Sequence, residues 1–179
     1  MCATYPSTTV VPSTVLVSPT PWTDQAANSG TPFVLRIQQV DSSGWTKRQA
    51  EPSWLMYNGN TTTNGSVAEQ YHINNGQLLT SNGSYVSTDF QVLNQALAAS
   101  DYIEPINTTF SVADGMLNWT NPTFSNGTAQ FYKLPPGLLD NALILVKFLG
   151  PMQPARSWSP IVLYADPGKS LLANSYIPN

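Results

Sequence analysis

Charged side chains and sulfur are scarce in this sequence. Asp, Glu, Lys and Arg make up 9% of the 179 residues, and the seven Lys and Arg residues are scattered in a chain of net charge −3. A nucleic-acid partner needs a basic stripe that binds its phosphates, so this class of partner is excluded. The single cysteine, Cys2, excludes an intramolecular disulfide. Stability must therefore come from side-chain packing and backbone pairing.

Long apolar runs are missing as well. The longest one, residues 142–149, is interrupted by Lys147, whereas a membrane-spanning helix needs about 20 apolar residues. We therefore predict no membrane span. The first residues lack a basic segment, and Pro12 divides the apolar residues that follow, so they do not resemble a signal peptide.

Groups that could carry catalysis are few. His72 is the only histidine, and neither a G-x-S-x-G motif nor a cluster with metal-ligand spacing accompanies it. We predict no catalytic residue, no metal site, no cofactor and no enzymatic activity. A secreted glycoside hydrolase, which needs two facing carboxylates, is a third hypothesis. Its candidate acids would be Asp89, Asp101, Glu104 and Asp114.

Uncharged polar residues dominate instead, with Ser and Thr at 36 of the 179 residues. Residues 4–23 hold nine Ser or Thr and four Pro without any apolar period, which is typical of an extended, solvated segment. We predict a linker or stalk at residues 1–29, an all-β domain at residues 30–168 and a tail at residues 169–179. Such a composition favours a location outside the cell.

Two short segments predict β-hairpins. Residues 109–120 alternate apolar and polar positions around Asp114-Gly115, and residues 71–79 do the same around Asn75-Gly76. Asp-Gly and Asn-Gly accept the positive φ angles that two-residue hairpin turns require. Both dipeptides are therefore expected at turns.

Short strands separated by Pro and Gly predict an all-β fold, either a β-sandwich or a barrel of short antiparallel strands. At most one short helix is expected, where Phe90, Leu93 and Leu97 follow Asp89 at helical spacing. The polar loop at residues 58–66 is expected to be exposed. A β-trefoil-like fold is the alternative, because aromatic residues recur near positions 33, 71 and 110. Further strands are predicted at residues 33–40, 54–57, 84–87, 129–134, 143–148 and 161–164.

Six N-x-Ser/Thr motifs lie between residues 60 and 128. Each is a weak signal, but together they indicate N-glycosylation and the secretory pathway. Asn118 precedes Trp119 on a predicted strand, so a glycan fits there only if the position faces outward. The predicted sites are Asn60, Asn64, Asn82, Asn107, Asn118 and Asn126.

Indole rings can stack on sugars, and the chain has five tryptophans. Trp54 and Trp119 lie in predicted strands and are expected in the core. Trp45 and Trp158 adjoin turns and are the candidate sugar-binding residues.

The order of the motifs is similar to that of an uncharacterised domain of secreted fungal proteins. It runs from Pro-Phe-Val-Leu at residues 32–35, through the two hairpins, to Pro-Ile-Val-Leu at residues 160–163. The resemblance implies a module of the cell wall or cell surface, placed next to a Ser/Thr-rich stalk. It also implies that Tyr132 and Trp158 occupy the places of two cysteines and replace a disulfide by aromatic packing.

These observations lead to one main functional hypothesis, a non-enzymatic secreted glycoprotein module of a fungal cell wall or cell surface. The alternative is a carbohydrate-binding module that uses surface Trp side chains. The expected partner is a cell-wall polysaccharide or another glycan.

Overall fold

The computed structural model describes residues 22–40, 51–137, 141–150 and 158–168. These ranges contain one short helix, α1 (Asp24–Asn28), and two 3-10 turns, Gly65–Val67 and Ser125–Gly127. Everything else that is regular is β-structure. The strands are β1 (Phe33–Gln39), β2 (Ser53–Leu55), β3 (Thr61–Thr62), β4 (Gln70–Asn74), β5 (Gln77–Thr80), β6 (Asn94–Ala96), β7 (Phe110–Ala113), β8 (Met116–Trp119), β9 (Gln130–Lys133), β10 (Ile144–Lys147) and β11 (Ser159–Pro167).

All the strands pair antiparallel in one sheet whose main path is β3-β2-β1-β11-β9-β10-β6. The β1–β11 pair is the longest and runs from Phe33 opposite Pro167 to Gln39 opposite Ile161. The sheet curls into a half-barrel, and the segment before β10 approaches β3. There the Thr61 N–H donates to the Ala142 carbonyl over 2.9 Å. The all-β prediction is therefore confirmed.

The core lies inside the curl and centres on Trp119, which is fully buried. Its ring stacks on Phe110 with 4.3 Å between the ring centroids and meets Phe124 and Phe148 edge to face. The predicted core position of Trp119 is confirmed. The same prediction for Trp54 is wrong, because neighbouring strand residues point to opposite faces.

The other two residues of β2, Ser53 and Leu55, take the core side, so Trp54 is half-buried on the outer face. By outer face we mean the face of the sheet that is turned away from the core. The Trp54 ring lies against Gly65, where a Cβ atom would come within 3.4 Å of it.

Both predicted hairpins are present. Asn75 and Gly76 have φ angles of 49° and 77° between β4 and β5, and Asp114 and Gly115 have 53° and 75° between β7 and β8. The trefoil-like alternative is wrong, because the strands form one curled sheet without threefold repetition, and the strand that begins at Phe33 pairs along its whole length with the last strand. On its other side this first strand pairs with β2 and β4.

The prediction of a helix after Asp89 is wrong. Gln91 has a φ of 65°, which an α-helix does not allow, and residues 94–96 form β6 against β10. Phe90 and Leu93 are 55% and 58% exposed, whereas Leu97 is buried. Backbone pairing with β10 replaces the helical hydrogen bonds.

The loop at residues 58–66 is not wholly exposed as predicted. It contains β3, and both Gly59 and Thr61 are buried. Burial is possible because the loop's backbone groups are paired: besides the bond from Thr61, the Ile144 N–H donates to the Gly59 carbonyl over 2.8 Å.

Helix α1 lies in the stretch that the sequence assigned to the linker, and it packs on β7. The Asp24 carboxylate accepts the N–H groups of Asp114 and Gly115 over 2.7 and 2.9 Å. The Asn28 amide bonds both backbone groups of Val112, accepting its N–H over 2.7 Å and donating to its carbonyl over 2.8 Å. Thr23 caps the helix by accepting the Ala26 N–H. The extent of the linker before residue 22 stays a prediction.

Candidate functional site

A cleft opens on the outer face where β8 and β9 diverge from β11. β8 pairs with β11 only at Met116 opposite Tyr164, and β9 pairs with it only at Ser159 and Pro160. Among the described residues, the stretch of β11 between these contacts has no ladder partner on that side. The resulting gap in the sheet is the site that we call the cleft.

The cleft has a volume of about 310 Å³, at the small end of the range for small-molecule sites, about 300–1,000 Å³. None of its described lining residues carries a charge. The lining therefore offers ring and aliphatic surface together with amide and hydroxyl groups, which suits a neutral polar molecule. The side chains that face it from the outer side are Met116, Asn118, Gln130, Tyr132, Pro160 and Val162.

Tyr132 and Trp158 form an aromatic pair beside the cleft. Their ring centroids lie 5.8 Å apart with 54° between the planes, and both residues are half-buried. The contact between these two rings is the one that the family resemblance implies. The Tyr132 hydroxyl donates to the Gln130 Oε1 atom over 3.1 Å. Trp45, the other predicted sugar-binding residue, lies outside the described residues.

Asn118 forms part of the cleft wall. Its neighbours Leu117 and Trp119 are buried, so its own half-buried side chain faces outward. The Nδ2 atom donates to the Met116 carbonyl over 3.1 Å, and a primary amide has a second N–H. Glycosylation at Asn118 is expected only if this position faces outward, and it does.

The other five motifs lie in turns and loops. Asn64, Asn82 and Asn126 are exposed, whereas Asn60 and Asn107 are half-buried. The Asn107 amide is already held, because its Nδ2 atom donates to the Glu104 carbonyl over 2.7 Å and its Oδ1 atom accepts from Gln77 over 2.9 Å. At Asn64 and Asn82 the hydrogen bonds use the Oδ1 atom, which accepts the Ser66 and Ser84 N–H groups, whereas a glycan would be attached at Nδ2.

A second group of outer-face side chains was missed by sequence reasoning. The Arg36 guanidinium lies 5.0 Å from the centroid of the Tyr164 ring and forms a salt bridge with Asp166 at 2.6 Å. Trp54 stands opposite Arg36 on the neighbouring strand. More than 100 positions separate Arg36 from Tyr164 and Asp166 in the sequence, so no local pattern could have assembled this group.

Three of the four candidate acids of the hydrolase hypothesis have separate local roles, and His72 lies on another element. The Asp114 backbone forms a hairpin turn, the Asp89 carboxylate accepts the Phe90 N–H, and the Asp101 carboxylate accepts the Ser84 hydroxyl over 2.6 Å. His72 is half-buried in β4 opposite Leu79. Within the described ranges, no group of three His, Cys, Asp or Glu residues could hold a metal ion.

The fold and the cleft define a class of protein, an all-β module built on one curled antiparallel sheet with a small uncharged cleft on its outer face. A family model described as a domain of unknown function, DUF7908, matches residues 28–169. The chain therefore belongs to this family. The predicted resemblance to an uncharacterised domain family is confirmed, and its fungal cell-surface origin stays a prediction.

No curated protein and no solved structure matches the chain. In the part of the chain that the structure describes, the helix is too short to cross a membrane.

Proposed function

We propose that this domain is a non-enzymatic, secreted, N-glycosylated module of a fungal cell wall or cell surface. The observation that carries the proposal is the placement of Asn64, Asn82 and Asn126, whose side chains are exposed at turns. Each of the three is followed two positions later by a Ser or Thr. The low content of charged residues supports the same compartment.

Secretion from a fungal host tests the proposal. At least three of the six motifs should carry glycans, so endoglycosidase treatment should lower the measured mass of the protein by the corresponding amount. A matched variant with Gln at Asn64, Asn82 and Asn126 should lose most of this mass difference. A secreted parent protein whose mass does not change on treatment would contradict the proposal.

Carbohydrate binding is a second candidate function, which the pairing of Trp158 with Tyr132 beside an uncharged cleft supports. Sugars stack on such rings while amides and hydroxyls bond their hydroxyl groups. On a glycan array, Trp158→Ala should abolish binding, and Trp54→Ala should retain it, since Trp54 is a half-buried Trp away from the cleft. Equal binding by the parent and Trp158→Ala would exclude Trp158 from the site, leaving Trp45 as the predicted residue.

A further inference from the structure

We propose that the cleft holds the first N-acetylglucosamine of a glycan attached to Asn118, so that the protein covers its own cleft with a sugar. This inference rests on the proposed N-glycosylation. It differs from a binding function, because the occupant is covalently part of the chain. The motif Asn118-Trp119-Thr120 supplies the acceptor, and Asn118 lies in the cleft wall.

The chemistry of attachment is compatible with the contacts of Asn118. The donor is an oligosaccharide on a polyisoprenyl diphosphate, supplied with its transferase in the secretory pathway. The Nδ2 atom forms a bond to C1 of the sugar, the bond from C1 to the phosphate oxygen breaks, and Nδ2 loses one proton. After attachment the amide keeps one N–H, which is enough to maintain the hydrogen bond to the Met116 carbonyl.

The cleft surface matches the two kinds of surface on N-acetylglucosamine. Val162 and Pro160 offer apolar contact to a pyranose face and to the acetamide methyl, and the Tyr132 ring offers a stacking surface. Gln130, whose Oε1 atom accepts the Tyr132 hydroxyl, offers its amide to the sugar hydroxyls. The absence of charge from the described lining suits a neutral residue. The volume accommodates the first sugar and leaves the outer branches in solvent.

Asn126 is the matched control within the same chain. It is exposed in a tight turn with a φ of 62°, and a Cβ atom at the adjacent Gly127 would meet nothing within 4 Å. A glycan at Asn126 should extend freely into water. The two sites therefore differ in the surroundings of the sugar and share the same host and the same enzyme.

The test measures how fast the first sugar is released at each site in the native protein. The secreted protein is treated with the amidase that cleaves the Asn–sugar bond, and conversion of Asn to Asp is followed by peptide mass spectrometry. In the native state Asn118 should react at least about tenfold more slowly than Asn126, a ratio equivalent to about 1.4 kcal/mol. After denaturation the two rates should become equal. Equal rates in the native protein would overturn the inference.

Substitutions of residues in the cleft provide a second test of the inference. Tyr132→Ala should raise the native cleavage rate at Asn118 toward that at Asn126, and Gln130→Ala, which changes an exposed side chain, should do so without loss of the fold. Trp54→Ala, which is remote from the cleft, should leave the rate unchanged. Protection that survives both cleft variants would overturn the inference.

The outcomes separate this inference from the proposed function. Glycans at the exposed motifs with an unmodified Asn118 would overturn the inference and leave the proposed function intact. An unglycosylated secreted protein would overturn both. Rapid native cleavage at Asn118 together with binding of added sugar that depends on Tyr132 would show that the cleft serves an external ligand instead.

Discussion

The side chain of Tyr71, near the start of β4, is buried in the core. It is 1% exposed, and its hydroxyl donates to the Met56 carbonyl over 3.3 Å. Burial, with a smaller contribution from the negative charge of Glu69, raises the pKa of Tyr71 well above its ordinary value. The folded protein therefore keeps this proton at a pH where the unfolded chain loses it.

This pKa shift predicts loss of stability at high pH. In the unfolded chain Tyr71 ionises near pH 10, so its contribution is fully present below that pH and is lost as the pH rises above it. Tyr71→Phe has no proton to lose. Between pH 8 and pH 11 the parent should lose about 1.4 kcal/mol more unfolding free energy than Tyr71→Phe, the equivalent of one pH unit. Urea unfolding at both pH values measures this, and equal losses in the two proteins would contradict it.

Two tryptophans show what sequence could predict for single residues. Trp119 and Trp54 both lie in strands, and local sequence treats them alike. Only the register decides that Leu55 takes the core side of β2 and leaves Trp54 outside. A three-residue strand is too short for its alternation to reveal which face is buried. Burial of Trp54 could therefore not be predicted from its neighbours.

The two hairpin turns share their backbone conformation and differ in their surroundings. A Cβ atom added at Gly76 would lie 3.0 Å from the Thr109 backbone nitrogen. At Gly115 the nearest atom would be Cδ1 of Tyr164 at 3.7 Å, an ordinary contact. The positive φ angle penalises any other residue equally at both turns, so the difference between them is steric.

Alanine at each glycine separates the two effects. Gly115→Ala should lower the unfolding free energy by about 1–2 kcal/mol, the cost of the left-handed conformation. Gly76→Ala should cost about 1–3 kcal/mol more because of the clash with Thr109. Thermal melts of the two variants compare them directly. Equal melting temperatures would show that the 109–110 backbone yields without cost, and a Gly115→Ala protein as stable as the parent would contradict the assigned turn.

Elements with a local signal were predictable, and those that depend on distant partners were not. Asn75-Gly76 and Asp114-Gly115 determine their turns by themselves. The segment around Leu93 has helical spacing, but β10, some 50 residues later, offers it a strand partner. The cleft is of the second kind, because β8, β9 and β11 form it together. Sequence identified Asn118 and Trp158 separately but could not bring Asn118, Tyr132 and Val162 to one place.

At the scale of the whole molecule, residues 22–28 belong to the folded unit. The Trp22 indole donates to the Ala165 carbonyl over 3.1 Å and meets Phe33 edge to face. Asp24 and Asn28 hold the β7–β8 hairpin from the same side. The N-terminal segment thus links β11, β1 and a distant hairpin.

Shortening the chain tests this role. A chain that begins at residue 30 loses two hydrogen bonds to the Asp24 carboxylate, each worth about 1.5–3 kcal/mol, the two between Asn28 and Val112, and the packing of Trp22. A loss of about 3 kcal/mol should lower the melting temperature by roughly 6–12 °C. A chain that begins at residue 22 is the control and should melt as the parent does. Equal melting of the two shortened chains would contradict the structural role of α1.

The contacts of α1 have a consequence for how copies of the protein behave toward one another. β7 pairs with β8 on one side only, and an open strand edge invites another chain to add a strand. Along the open side, the N–H groups of Phe110, Val112 and Asp114 are already bonded to the Gly76 carbonyl and to the Asn28 and Asp24 side chains. The edge therefore offers no free row of donors. A second copy of the protein could therefore add a strand at β7 only by first displacing α1 from it.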